Sequence, residues 1–419
     1  MTVDFGQSVL LTIKVSPIII SLRRQKEFPM KLKQILIVFT LVMMFPGLQA
    51  QMETPDNCTS GILLNTAFPK AAALQTVLDK YTAAGVPGVS IAVYNEDLGW
   101  WTGVSGYARI ESKTPMTPCH LQYLQSVSKT YMAVTILQLV EKGKLNIEHP
   151  ITRYLPAKYS RFIPNADSIS IHMLLNHTSG VPEYNTQPRL VSKVLLNPTR
   201  ILKVEEVLEC LAGEPAQFPP GARHSYANTN YLLLALAADA VTGNHAKFMS
   251  ENIFKPLGLR HTFYRNEKGY LDYPELVDSY WDVLNTGRPA NITTLQRSNV
   301  ASLIGDDGIV CTPIDVVLFL EGLMKGKLIS RNSLELMQQW VKNSKGEPTY
   351  GLGLYHYNAG GLEGVGHGGG GIGAGCVLLY VPTQKTYVFI GVNIGVLIES
   401  NLSKKCQDMR DELLMALFM

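Results

Sequence analysis

Between Met132 and Val140 the chain places Met132, Ala133, Val134, Ile136, Leu137, Leu139 and Val140 on every side of any helix drawn through it. Such a helix has no face for water and must be enclosed by protein, so the fold has to be built around it. Gly143, after Glu141-Lys142, supplies its stop. Just ahead of it stand Ser126 and Lys129, three residues apart and therefore on one face if the helix reaches back to them. A serine hydroxyl is a poor nucleophile until a neighbouring base takes its proton, and a lysine stripped of water by apolar neighbours is driven toward the neutral amine. Ser126 is the one serine of the chain with a lysine three residues on. By itself the pair says little, because an N-capping serine followed by a solvated lysine spells the same letters.

With 419 residues, 46% hydrophobic and 17% charged, the chain can bury a large core, and two lobes are expected. Residues 30–50 carry Met-Lys-Leu-Lys, an apolar run and Leu48-Gln49-Ala50 before Gln51, the pattern of a secretory signal with its cleavage site. Residues 1–29 then read as an upstream extension, and Met30 as a second possible start. Residues 1–50 hold six Lys or Arg against Asp4 and Glu27, so of the formal charge of +3 the remainder carries −1. That near-neutrality argues against a nucleic-acid partner. Once the signal is removed no stable membrane anchor is expected, and the protein is read as exported, periplasmic or secreted. Six cysteines follow (Cys58, Cys119, Cys210, Cys311, Cys376, Cys406) without a Cys-x-x-Cys pair. Zinc spacing is absent, and spacing alone does not choose among disulfide pairings.

Leu74, Val77, Leu78 and Tyr81 mark an amphipathic helix ended by Gly85. Residues 89–94 and 100–110 flank a turn at 95–99 and predict a hairpin. From Ser126 to about Lys345 helical patterns dominate, notably 231–241 and 314–325, with a long irregular excursion at 265–300. Strands return at 361–366, 374–381 and 386–393, and Cys406, Met409, Leu413 and Leu417 form the stripe of a last helix. The predicted class is α+β. Residues 51–125 together with 346–419 form a lobe in which the first and last helices flank an antiparallel sheet, and 126–345 form an inserted α-helical lobe. A site in the cleft between lobes follows.

Two further stretches carry chemistry. Pro219-Pro220-Gly221 turns the chain into Tyr226-Ala227-Asn228, where alternation in an extended loop points the phenol and the amide the same way. A phenol beside a lysine can relay protons, and an amide can hold the lysine while binding a substrate carbonyl. Tyr264-Arg265-Asn266 has the same spacing without the Pro-Gly entry, so Tyr226 is preferred and a change at Tyr264 is expected to be nearly silent. Gly366-His367-Gly368-Gly369-Gly370-Gly371 fits a dinucleotide fingerprint, yet a strand follows where that fingerprint needs a helix. Glycines there instead allow backbone N–H groups to approach a substrate closely. His172 and His177 lack the spacing of a metal site; no metal and no cofactor is called for.

Taken together, Ser126-x-x-Lys129, Tyr226-x-Asn228 and His367-x-Gly369 resemble the three motifs of the class C β-lactamase and D-alanyl-D-alanine carboxypeptidase-like serine hydrolases, related to penicillin-binding proteins. Leu174 to Gly180, Phe254 to Leu259, Asp307 to Leu320 and Tyr350 to Leu354 also look familial. The resemblance implies a β-lactamase/transpeptidase-like fold. It makes Ser126 the acylated nucleophile, Lys129 its base, Tyr226 the proton relay and Asn228 a substrate-amide ligand, with His367 and Gly369 lining the substrate strand. The N–H groups of Ser126 and Gly370 would form the oxyanion hole. Gln125 stands where relatives often have a small residue, and His367 replaces the lysine usual in β-lactamases.

The function implied is an exported D,D-peptidase acting on small peptides, peptidoglycan stem peptides among them. Esters or β-lactams are alternative substrates for an esterase or weak β-lactamase, and a non-catalytic penicillin-binding sensor is the remaining reading. His367, with an ordinary imidazole pKa, is expected to lose charge between about pH 5.5 and 8 and so to weaken recognition of a substrate carboxylate as pH rises.

Overall fold

The computed structural model describes residues 58–59, 61–266, 269–359 and 361–419; the stretch read as a signal lies outside them. The hairpin forms as β1 (Gly88–Asn95) and β2 (Gly99–Arg109), with Gly99 at φ +82° closing the turn between them. A short β3 (Thr114–Pro115) adds to β2. After a long stretch of chain come β4 (Val341–Lys342), β5 (Pro348–Tyr350), β6 (Tyr355–Ala359), β7 (Leu362–Gly370), β8 (Gly375–Val381) and β9 (Thr386–Val392). All pair antiparallel in one nine-stranded sheet of order β3-β2-β1-β9-β8-β7-β6-β5-β4. The register Val89↔Val392 to Asn95↔Thr386 joins the two ends of the chain, and residues distant in sequence share one sheet.

Strand alternation sorts side chains to two buried faces. Val89, Ile91 and Val93, with Val377, Leu379, Val381, Val388 and Ile390, face helices α1 (Ala71–Ala83) and α6 (Asn401–Phe418). The stripes expected of both helices, Leu74-Val77-Leu78-Tyr81 and Cys406-Met409-Leu413-Leu417, are the sides they bury. Lys80 Nζ and Tyr81 Oη both reach Glu412, at 2.6 and 3.0 Å, and tie one helix to the other. Ala92, Leu378, Tyr387 and Phe389 face the opposite way, into the larger core around α2 (Ser128–Glu141). Twelve of the fourteen residues of α2 are buried, as the all-round apolar pattern requires. Packed with it are α3 (Asn228–Thr242) and α5 (Pro313–Met324), and α4 (Thr293–Ser302) ends the excursion at 265–300.

The arrangement is a mixed one of helices and antiparallel sheet. Sequence pattern places no strand at 341–359 and sets Ser126 on the face of α2 if that helix reaches back to it. Ser126 instead lies in a 3-10 turn, Gln125–Val127, that feeds α2. Cys58 and Cys119 form a disulfide, while Cys210, Cys311, Cys376 and Cys406 are free thiols. Among the described residues no helix is long and apolar enough to cross a membrane.

One loop docks the sheet end onto α2. Gly353 adopts φ +75°, its carbonyl accepts from Thr130 Oγ1 at 2.7 Å, and a Cβ there would stand 2.5 Å from Ala133 Cβ and 3.2 Å from the Lys129 carbonyl. Gly353→Ala is therefore expected to destabilise the protein by about 1–3 kcal/mol more than backbone conformation alone would cost. Gly346→Ala is the reference, being equally left-handed at φ +79° with nothing within 4 Å. Urea unfolding of the two variants measures the difference; equal midpoints would mean that the Gly353 contact on α2 is loose.

Candidate active site

Leu124 and Gln125 bring the chain off the short strand Gln122–Tyr123 and into the 3-10 turn. Gln125 takes φ +48°, a conformation that L-residues adopt at a cost, and this kink lifts Ser126 from its buried neighbours into partial exposure. Behind it Lys129 is completely buried in the first turn of α2.

Lys129 Nζ lies 2.9 Å from Ser126 Oγ, 2.7 Å from Asn228 Oδ1 and 2.8 Å from the Asp306 carbonyl oxygen. Two of these partners can only accept. A neutral amine has two N–H bonds and one lone pair, so the two acceptors take both hydrogens and leave the lone pair to the serine hydroxyl. Burial lowers the Lys129 pKa from its ordinary value, and the charges of Asp306, Asp307 and Glu183 hold it up in part. The geometry is the one a proton transfer from Ser126 to Lys129 requires.

Asn228 opens α3, and its orientation is fixed from behind. Its side-chain amide donates to Glu183 Oε1 at 3.3 Å and its backbone N–H donates to Glu183 Oε2, which turns Oδ1 toward Lys129. The second Glu183 contribution is local, since Oε1 also accepts from Asn185 N at 2.8 Å. Tyr226 is half-buried, with its ring centroid 5.1 Å from Lys129 Nζ. Burial pushes its phenol well above the usual tyrosine range; a hydrogen bond to Ser126 opposes this, and the charges of Asp306, Glu183 and Asp307 add to it. The phenol therefore keeps its proton at neutral pH.

Strand β7 forms the other wall, and here the glycines are a packing requirement. A Cβ at Gly369 would meet the Leu124 carbonyl oxygen at 2.6 Å, Cys376 Sγ at 2.7 Å and Gln125 Cβ at 2.9 Å; one at Gly371 would run into the Gln125 amide. The bare strand thus lies directly on the Gln125–Val127 turn, with Gly370 exposed at its end.

His367 departs from expectation. Its Nδ1 sits 2.6 Å from the Gly368 carbonyl, which can only accept, so Nδ1 carries the proton and Nε2 accepts from Tyr350 Oη at 3.0 Å. Burial, with the Lys129 charge adding, drives its pKa down to about 3. The expected change of charge between pH 5.5 and 8 does not occur in this environment, because a fully buried imidazole between tyrosines has only the Gly368 carbonyl to stabilise its cation. His177 and His224 are also held neutral, by burial first, the latter at about 4. His177 supports the Tyr226 loop from below, its Nδ1 lying 3.2 Å from Ala227 N and 2.8 Å from Asn230 Nδ2.

The structure brings Ser126, Lys129, Tyr226, Asn228, His367 and Gly369 to one place and sets Tyr264 apart. Tyr264 is a core residue whose hydroxyl accepts from Gly305 N at 2.8 Å and meets His245 Nε2 at 2.8 Å. Its replacement would orphan a backbone N–H beside Asp306, so a silent change there is not to be expected. Glu183 and Asp306 had no sequence signal, and Asp307 was marked only as the start of the familial stretch 307–320; the fold alone apposes the loops that carry them. Among the described residues no three or more His, Cys, Asp or Glu gather as a metal site would need.

Two variants test this geometry. Lys129→Arg keeps a cation that cannot lose its proton, so ester hydrolysis should fall by about a thousandfold or more, while in the parent acylation should accelerate as pH rises and Lys129 deprotonates. A pH-independent parent would remove Lys129 as the base. Gly369→Ala should shift the Gln125–Val127 turn and cost about tenfold or more in kcat/KM with the circular dichroism unchanged. Parental turnover in that variant would show that the strand and turn are not in tight contact.

Comparison with known proteins follows the same lines. A family model described as Beta-lactamase matches residues 74–413. PbpX of Bacillus subtilis (strain 168), a protein described as penicillin-binding, is 29% identical over 273 residues, covering 65% of this chain and 62% of that protein. The chain thus spans somewhat under two thirds of such relatives. Among solved structures, a D-stereospecific amidohydrolase from Streptomyces sp. is similar at 25% identity and TM-score 0.71, over 84% of this chain and 99% of that one. D-amino acid amidase from Ochrobactrum anthropi SV3 is similar at 26% identity and TM-score 0.72, over 83% and 98%.

Proposed function

The chain belongs to the β-lactamase family of serine hydrolases, and on that premise we propose that it is a D,D-peptidase-type amide hydrolase acylated on Ser126. The observation that carries the reading is the double hold on Lys129, which leaves its lone pair to Ser126. Ser126 Oγ bonds to the substrate carbonyl carbon as its proton passes to Lys129, and the carbonyl oxygen takes the negative charge. The N–H groups of Ser126 and Gly370 are assigned to that oxyanion. The C–N bond then breaks, its electron pair stays on nitrogen, and the proton reaches that nitrogen through the Tyr226 phenol. Water repeats the sequence in reverse and frees Ser126. Asn228 holds Lys129 and the substrate amide, and His367 and Gly369 act through the shape of their strand.

A second reading has an observation of its own. His367 is neutral with both ring nitrogens engaged inside the protein, so it offers no cation to the free carboxylate of a D-alanyl-D-alanine terminus. That favours substrates uncharged on the leaving side, such as the amides of D-amino acids, in keeping with the two amide hydrolases of similar fold. Esters and β-lactams are weaker alternatives on the same apparatus. The Cys58–Cys119 disulfide supports an exported protein, since such bonds persist in oxidising compartments.

Intact-mass measurement after incubation with a D-alanyl-D-alanine peptide, D-alanine amide, a p-nitrophenyl ester and a chromogenic cephalosporin separates the readings. An acyl adduct is expected on the parent and none on Ser126→Ala, with D substrates preferred over L. Undiminished adduct on Ser126→Ala would displace Ser126 from its role. Faster release of ammonia from the amide than of D-alanine from the peptide would select the second reading.

A further inference from the structure

Lys129 stands among three carboxyl groups, Asp306, Asp307 and Glu183, and the same three act on Tyr226. The imidazoles of His177, His224 and His367 contribute no balancing charge. Three carboxyls thus stand against the one amine of Lys129, an excess that repels an anionic substrate and draws in a cation.

The three carboxyls are not equivalent. Glu183 uses both oxygens on backbone and side-chain amides of Asn185 and Asn228. Asp306 accepts from Tyr184 Oη with one oxygen, and its other is sealed from solvent with no partner. Asp307 accepts through Oδ1 from its neighbour Gly308 N at 2.6 Å, and among the described residues it forms no ion pair. The residue is 8% exposed, and neither of its oxygens is among the sealed, unpartnered atoms.

Its location is fixed from three sides. It follows directly on the residue whose carbonyl holds Lys129, and its charge acts on Lys129, on Tyr226 and on Cys376, whose thiol lies behind Gly369. Lys129 belongs to α2, Tyr226 to its loop and Cys376 to β8 behind the β7 wall, and the same charge acts on Tyr184 and Tyr270, so Asp307 lies among the elements that wall the site. Burial first, and then the charge of Asp306, hold its carboxyl up at about 7, against the Gly308 N–H and the charge of Lys129. Such a group is costly unless something pairs with it.

We propose that Asp307 is the acceptor of a substrate-ammonium subsite, and that the enzyme acts on amides and peptides carrying a free amine beside the scissile carbonyl. The inference rests on Ser126 as the acylated residue and on the second reading above, amides of D-amino acids, because the acyl side of a D-alanyl-D-alanine stem peptide has no free amine. The substrate ammonium supplies the ion-pair partner that Asp307 lacks among the described residues, charge-assisted hydrogen bonding to Asp307 orients the carbonyl over Ser126, and an analogue with the amine acylated or replaced by a carboxylate forfeits that contact.

Two isosteric anilides test it, D-alanine p-nitroanilide and the p-nitroanilide of D-lactic acid, which differ only in ammonium against hydroxyl. The parent should favour the amine by about tenfold or more in kcat/KM, as a charged hydrogen bond warrants, and Asp307→Asn should bring the ratio near one. Glu183→Gln should slow both substrates through Asn228 and leave the ratio in place. A parental ratio at or below one, a parental ratio retained in Asp307→Asn, or a collapse confined to Glu183→Gln would overturn the proposal. Hydrolysis of both anilides at equal rates defeats the subsite alone; failure of both to acylate Ser126 defeats the hydrolase reading and the subsite with it. Should Asp307→Asn not fold, the parent suffices: propylammonium should inhibit ester hydrolysis at a concentration about tenfold or more below that of propanol, and equal inhibition would overturn the proposal.

Discussion

A lysine amine with no exposed surface, held by two acceptors that cannot donate, is the constraint to which the rest of the molecule answers. Bulk water would protonate it, so α2 has to be enclosed on every side, and twelve of its fourteen residues are. The Gly305–Gly308 loop must close over it to deliver the Asp306 carbonyl, and Tyr264 holds that loop by accepting from Gly305 N. Asn228 must present oxygen rather than nitrogen, which Glu183 enforces by accepting from the amide. Each element is an ordinary packing solution, yet together they leave Lys129 one free direction, toward Ser126.

The sheet serves the same end from the other side. Because β1 pairs with β9, the hairpin near the beginning of the described chain and the strands near its end make one surface, and β7 reaches the 3-10 turn without a side chain between them. Gln125 bears the cost of that approach in its left-handed backbone, and its amide lies against the space a side chain at Gly371 would need. Substitution of either partner disturbs the position of Ser126 without touching its chemistry. The bulk of Gln125 and the bareness of β7 are therefore one feature.

Periodicity made α1, β1, β2, α2 and α6 legible, because each buries a face that repeats at its own period. Ser126, Lys129 and Tyr226, which the fold brings together, could be picked out because a spacing found once in the chain or a Pro-Gly entry marked them. Residues 341–359 escaped because strands of two to five residues carry too few alternations to register. Glu183, Asp306 and Asp307 escaped for a different reason: each is an ordinary acidic residue in its own stretch and acquires meaning only beside Lys129. The charge of His367 was misjudged because burial is a property of the fold, and the imidazole, held between Tyr350 and the Gly368 carbonyl, owes its neutrality to the absence of water.

Such a site sets two trends in stability against each other. Asp306 and Asp307 have carboxyl pKa values raised by burial to about 6 and about 7, so the folded state holds protons that the unfolded chain has released. Their contribution to stability is complete at low pH and is lost as pH rises through those values. His224 and His367 are depressed by burial to about 4 and about 3, so the unfolded chain binds protons that the folded state refuses. Their contribution is present above an ordinary imidazole pKa of about 6.5 and is lost as pH falls toward the folded values. From about pH 4 to 6.5 the two sets pull in opposite directions, and the carboxyls alone act between 6.5 and 7. An ammonium paired with Asp307 would lower that carboxyl's pKa and relieve part of the cost of burying its charge, so a cationic ligand should stabilise the fold most above pH 7, where the unpaired carboxylate is least favourable.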